Sequence, residues 1–190
     1  GRFHECNLSY EALRYVDLAL RGNRDFMLDL VKENGLALKY ASEALKNDQE
    51  IVLTAIPFRS FNGNLLDYIG KELMTDKNFI IAAVQKNPHL LRHLKIAFKN
   101  DSDIALSAVR KNGAILDYLS SELKDNQEIV RAAVRENGMA LLFASDRLKD
   151  NQEIVMAAIQ NDGRAIQCAS QRLQKDKKII QLAIEQHQIV

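Results

Sequence analysis

The chain has 190 residues, 47% of them hydrophobic and 27% charged, the balance of a folded protein and not of a disordered one. Its 26 basic residues against 25 acidic ones leave a formal charge of +1, so no global field draws it to nucleic acid or to anionic lipid. Two cysteines, Cys6 and Cys168, supply neither a disulfide framework nor a four-ligand zinc site, and no apolar run approaches the roughly 20 residues of a membrane span.

Read from its start, Gly1-Arg2-Phe3-His4, the chain has neither an initiator methionine nor a signal-peptide core, which points to a piece of something longer. The cysteine usage fits a reducing, cytoplasmic compartment. Residues 1–22 form an N-terminal half-repeat, in which Ala12-Leu-Arg-Tyr15 precedes Ala37-Leu-Lys-Tyr40 by 25 residues. Six repeats follow over 23–174, with copies starting near Gly22, Asn47, Thr75, Asn100, Asp125 and Asp150, and a C-terminal half-repeat occupies 175–190. The clearest pair is Asp125-Asn-Gln-Glu-Ile-Val-Arg-Ala-Ala-Val-Arg-Glu-Asn-Gly138 and Asp150-Asn-Gln-Glu-Ile-Val-Met-Ala-Ala-Ile-Gln-Asn-Asp-Gly163. One break in register, about three extra residues that include Pro57, lies between Ile56 and Asn62. A fixed period of this kind identifies one supersecondary unit, stacked into a single structural domain.

Each repeat reads as two short helices. In the first, Ile129, Ala132, Ala133 and Val134 form an apolar stripe. Asp125 with Glu128, Asp150 with Glu153 and Asn47 with Glu50 have capping-box spacing, which places helix starts at Asn47, Asp125 and Asp150. Asn34-Gly35, Asn62-Gly63, Asn112-Gly113 and Asn137-Gly138 read as stops in which glycine takes the left-handed conformation, with Asp162-Gly163 repeating the signal and Asn87-Pro88 departing from it. The second helix carries Ala140, Leu141, Ala144 and Leu148 on one face. Helices of about ten residues are marginal alone, so stacking must hold them. The predicted fold is all-α, a solenoid-like tandem array of short helical hairpins.

The pattern Asp-x-x-Glu-Ile-Val-x-Ala-Ala-Val-x-x-Asn-Gly-x-Ala-Leu-x-x-Ala-Ser-x-x-Leu, best displayed by residues 125–148, resembles the domain-of-unknown-function 4116 repeat family over about residues 23–185. Such repeats occur in proteins of intracellular bacteria, including Legionella-type effectors, and in protist sequences. The resemblance implies a module of a bacterial effector acting in the host cytoplasm, and it carries over no catalytic residue. The sequence departs from the pattern at Asn87-Pro88, after Ile56, and at Lys175, where the cap residue is lost.

Candidate chemistry is sparse. His89 and His93 stand at the spacing of two metal ligands, but no third is evident. Aligning the repeats puts His93 in one column with Tyr15, Tyr40, Tyr68, Tyr118, Phe143 and Cys168, which reads as a packing position with Tyr118 and Phe143 largely buried. Cys168 is then a small apolar filler and not a nucleophile. Cys6 and His4 make a poor site near a terminus, His187 falls in the asparagine column, and the sequons at Asn7 and Asn100 match a short, common pattern. Glu50, Glu128 and Glu153 complement helix starts. There is no phosphate loop, no His-Glu-x-x-His and no Gly-x-Ser-x-Gly, so neither catalysis nor a cofactor is expected.

One surface stands out. Lys86, Arg92, Lys95 and Lys99 occur without an acidic neighbour, and Arg110 and Lys111 follow one repeat later. Together they form a candidate docking patch for an acidic protein, in a non-catalytic scaffold that binds other proteins. Nucleic acid or a phosphorylated lipid bound through residues 85–111 is the alternative, with nucleic acid disfavoured by the net charge. An accessory role beside a catalytic domain outside this sequence is a further alternative.

Overall fold

The computed structural model describes residues 15–56 and 64–187. The insertion with Pro57, the Asn62-Gly63 pair, the segment Ala12-Leu-Arg, Cys6, His4 and the Asn7 sequon lie outside them. Among the described residues there is no strand, and a helical triplet recurs along the chain. The packing divides the chain into two compact bodies, residues 1–87 and 88–190.

The second body shows the triplet most clearly. A long helix, Gln127–Glu136, leads into a six-residue 3-10 segment, Gly138–Phe143, and then into a one-turn helix, Asp146–Lys149. The next repeat copies it as Gln152–Asn161, Gly163–Cys168 and Gln171–Gln174. The repeat before has Ser102–Val109, Gly113–Tyr118 and Ser121–Lys124. Body two begins with Pro88–His93 and Ile96–Lys99, and its last described element is Lys177–His187. In the first body, Arg24–Glu33, Gly35–Tyr40 and Glu43–Lys46 form one triplet, followed by Gln49–Ala55.

The second helix of the expected hairpin is therefore two elements. An extended residue, Ala144 at φ −68° and ψ 160°, separates them. The hydroxyl of Ser145 then caps the one-turn helix, accepting from the Leu148 N–H at 3.3 Å. Ser120 and Ser170 do the same for Leu123 and Leu173. A serine side chain that competes for backbone partners favours a new helix start over continuation.

The helix starts are displaced by one residue from the expected positions. Asn126, not Asp125, caps Gln127–Glu136, accepting from the N–H groups of Glu128 and Ile129 at 3.0 and 3.2 Å. Asn151 replaces Asp150 in the same role, and Asp48 replaces Asn47. Asp125 instead joins successive repeats. Its carboxylate accepts from the Ser145 hydroxyl and from Arg147 Nε at 3.0 Å, while Arg147 Nη2 donates to the Asp125 carbonyl at 2.7 Å. Asp150, Ser170 and Arg172 repeat this clamp one step later. The backbone runs parallel to it, Ser145 N–H donating to Lys124 O at 3.0 Å and Ser170 N–H to Lys149 O at 2.9 Å.

The glycine expectation also changes. Asn137, extended at φ −146° and ψ 105°, ends the long helix and caps the 3-10 segment, its Oδ1 accepting from the Met139 N–H at 3.1 Å. Gly113 and Gly138 have no positive φ. They are glycine because the next long helix lies against them: a Cβ on Gly138 would press into the carbonyl oxygen of Ala158, and one on Gly113 into that of Ala133. The long helix supplies the rest of the core. Ile129, Val130, Ala133 and Val134 are buried, as are Ile154, Val155, Ala158 and Ile159 in the next copy. Each buried Ile or Val stabilises by about 1.5–3 kcal/mol.

Gly138→Ala is expected to destabilise the protein by about 1–3 kcal/mol through overpacking against a backbone atom that cannot rotate away. Gly22→Ala, whose Cβ would meet nothing nearer than 3.6 Å, serves as the control. Urea unfolding of the two variants measures the difference, and equal midpoints would remove the close-approach role of Gly138.

Candidate functional site

Successive 3-10 segments pack side by side in the second body, so equivalent residues form rows along its surface. A 3-10 helix has three residues per turn, which changes which side chains share a face. His89 and His93, four apart in Pro88–His93, stand about 120° apart around such a helix instead of on one face. His89 Nε2 lies 3.4 Å from Asn112 Nδ2. Among the described residues no cluster of three or more His, Cys, Asp or Glu side chains is arranged to hold a metal ion.

The aromatic column lies on the surface, contrary to expectation. Tyr15 is 89% exposed and Tyr118 38%, His93 is exposed, and Phe143 and Cys168 are half-buried. The neighbouring column is the buried one, with Leu94, Leu119, Ala144 and Ala169. The 3-10 period and the extended residue after it move the inward position one place along the chain. Arg92 stacks its guanidinium over the Tyr118 ring at 4.6 Å, joining two consecutive repeats by a cation–π contact. In the first body Lys39 lies 5.7 Å from the Tyr40 ring centre and 5.8 Å from that of Tyr68.

The structure places the five candidate cations of the second body in two groups. Arg92, Lys95 and Lys99 belong to one stretch, with Lys99 Nζ donating to the Arg92 carbonyl at 2.7 Å. Lys95 begins the one-turn helix Ile96–Lys99 and makes no side-chain cap. Arg110 and Lys111 lie at the end of Ser102–Val109, where Arg110 Nη2 is 4.0 Å from Glu128 Oε1 in a groove that Arg131 and Glu136 also line. Lys86 ends a helix of the first body and lines a groove there with Glu50 and Leu53. The acidic neighbours of Arg110 and Lys86 were invisible in sequence because each comes from another repeat.

Several exposed apolar residues escaped sequence reasoning, Ile96 and Leu142 among them. Ile96 is 75% exposed and Leu142 53%. The signal for Ile96 was available, since its column holds Glu43, Lys71, Ser121, Asp146 and Gln171 in the other repeats and another exposed aliphatic residue, Leu18, in the N-terminal half-repeat. Lys95 likewise interrupts a column of capping serines, Ser42, Ser120, Ser145 and Ser170. The stretch from Arg92 to Lys99 thus gives up scaffold chemistry at two adjacent positions and gains an exposed cation and an exposed aliphatic side chain.

Electrostatics elsewhere is structural. Hydrogen bonds from Ser145 and then Arg147 hold the Asp125 carboxyl below the ordinary value of 3.8, and Ser170 and Arg172 do the same for Asp150. Burial pushes the Cys168 thiol up, against the pull of Lys149, which leaves little thiolate to react.

The stacked triplets define the chain as a tandem helical-repeat protein. It belongs to the family described as Domain of unknown function (DUF4116), whose model matches residues 23–56, 60–99, 101–149 and 151–189. No curated protein and no solved structure matches the chain. Among the described residues no helix is long and apolar enough to cross a membrane.

Two titrations test these assignments. Because folding lowers the Asp125 and Asp150 carboxyls, their contribution to stability is present above the ordinary value near 3.8 and is lost as pH falls through their lower folded values. Carboxyl NMR should find both low, and Ser145→Ala should raise Asp125 alone. Native thiol labelling should be slow at Cys168; a rate equal to that of a free peptide thiol would contradict its shielding.

Proposed function

We propose that this chain is a non-catalytic protein-interaction scaffold whose second body takes an acidic protein segment along the 3-10 ridge at Arg92, Lys95 and Lys99. The observation that supports the reading most is the departure at Lys95 and Ile96. A capping serine there would stabilise the one-turn helix by about 0.5–2 kcal/mol, and the repeat carries instead a lysine beside a three-quarters exposed isoleucine. An exposed aliphatic side chain beside several cations suits an extended acidic segment bearing one bulky apolar residue. Arg92, already seated on Tyr118, presents its charge with less conformational freedom to lose than an unrestrained side chain. Arg110 and Lys111, at the end of another helix of the same body, lie outside this stretch. The family resemblance supports placing this scaffold within a bacterial effector in the host cytoplasm.

The test uses a fluorescent Glu-rich peptide with one central leucine, followed by anisotropy at low salt. Arg92→Glu with Lys95→Glu is expected to weaken binding by about tenfold or more, equivalent to about 1.4 kcal/mol, and added salt should weaken the unmodified protein in the same direction. Lys95→Ser should raise stability while lowering affinity, which separates the cap from the charge. Binding that survives the double reversal at low salt would place the surface elsewhere. Preference for vesicles containing phosphorylated inositol lipid, or for single-stranded RNA, would replace the acidic protein as partner.

A further inference from the structure

The long helices of the second body carry polar side chains that stacking does not use, and one groove gathers several of them. It runs between the end of Ser102–Val109 and the outer face of Gln127–Glu136, where Arg110, Arg131, Arg135, Glu128 and Glu136 line it. Two of the arginines are one position in consecutive repeats. Arg110 and Arg135 stand 25 residues apart in a column that holds Lys32, Gln85, Gln160 and Glu185 elsewhere. Packed helices lie about 8–10 Å apart, so the tips of two such long side chains can reach one point between them. Arg131 is a sharper departure, because its column otherwise holds Leu28, Leu53, Ile81, Leu106, Met156 and Gln181.

The three guanidiniums differ in how far they are engaged. Arg131 Nη2 donates to Glu153 of the following repeat at 2.6 Å, which fixes its head and offsets its charge. Arg110 comes no nearer than 4.0 Å to Glu128, beyond hydrogen-bond length, and is 64% exposed. The Arg135 carbonyl accepts from Asn161 Nδ2 at 2.9 Å, while its side chain pairs with no acid among the described residues. Two guanidiniums from two helices therefore line one groove with their donors unspent.

Geometry selects the anion. A carboxylate has two oxygens in one plane, which a single guanidinium fork fills. A phosphoryl group offers three oxygens pointing in different directions and a charge of about −1.5 to −2. Arginines arriving from different helices suit the second. Glu128 and Glu136 select what surrounds it: in the same groove they repel a uniformly acidic segment or an anionic membrane, and they attract cations beside the phosphate.

We propose that this groove binds a phosphorylated serine or threonine of a partner protein, carried on a segment with basic residues at its flanks. Arg110 and Arg135 clasp the phosphoryl oxygens, Glu128 and Glu136 take the flanking cations, and Arg131, held by Glu153, forms part of the wall. The site uses none of the residues of the 3-10 ridge at Arg92, Lys95 and Lys99, and its partner has mixed charge where that one is acidic.

Anisotropy with the full chain tests this, using a fluorescent peptide with one phosphoserine between two pairs of lysines and its unphosphorylated twin. The phosphorylated form should bind tighter by about tenfold or more, and that preference should fade as pH falls through about 6, where the phosphate takes up its second proton. Arg110→Ala with Arg135→Ala should erase the preference and leave the helical circular dichroism unchanged, both residues being exposed. Glu136→Lys should weaken the lysine-flanked phosphopeptide and tighten an alanine-flanked one. Arg92→Glu with Lys95→Glu should leave the preference intact, so that failure at one site is seen apart from failure at the other. Equal binding of the twins, a preference that survives loss of both arginines, or tighter binding to vesicles containing phosphorylated inositol lipid than to the phosphopeptide would each overturn the proposal.

Discussion

Everything in this fold depends on how closely one repeat's chain can approach the next one's long helix. The junction glycines, Gly113 and Gly138, lie against the carbonyl oxygens of Ala133 and Ala158, and the facing helix positions are alanines with no bulk to hold the backbones apart. Once that distance is set, Val130 and Val134 or Val155 and Ile159 fall into a continuous core. A larger residue at the junction would open this core at every level above it. The glycine is thus a spacing device, and the Asn beside it does the conformational work, closing one helix and capping the next.

The close approach also explains why the second half of the repeat is not a single helix. A 3-10 segment is narrower than an α-helix and rises faster, about 2.0 Å per residue. Six residues of it span about 12 Å, most of the roughly 15 Å of the ten-residue helix they pack on, while keeping a slim cross-section. The cost is poorer hydrogen-bond geometry, offset by the Asn137 side-chain cap at the start and by the Ala144 N–H donating to the Leu141 carbonyl at the end. The asparagine or aspartate at the junction recurs as the cap of the 3-10 segment, at Asn34, Asn112, Asn137 and Asp162.

Most of the architecture was legible in the sequence: the period, the all-helical character, the apolar faces at Ile129 to Val134 and the family followed from side-chain pattern alone. What was misread has two causes. Periodicity shows that a segment is helical, but it does not separate 3.6 residues per turn from 3.0 over six residues. The error moved the inward position by one, so Tyr118 and Phe143 were assigned to the core although Leu119 and Ala144 fill it. Asp125 was read as a cap because its partners, Ser145 and Arg147, lie 20 and 22 residues away, beyond any local pattern. The basic patch divided for the same reason: Glu128 reaches Arg110 only after stacking.

Once the repeat is understood as a scaffold, departures from it become the informative positions. A column that is serine in four repeats has a physical job, and Lys95 in that column means the job is left undone there. The adjacent Ile96 and the closing Lys175 are departures of the same kind, each exposing a group the consensus would pair or avoid. Scaffold positions explain why the chain folds and are silent about partners, because every repeat spends them on its neighbour. Recognition has to come from side chains the stacking does not consume. In this chain those are concentrated in the stretch Arg92 to Lys99.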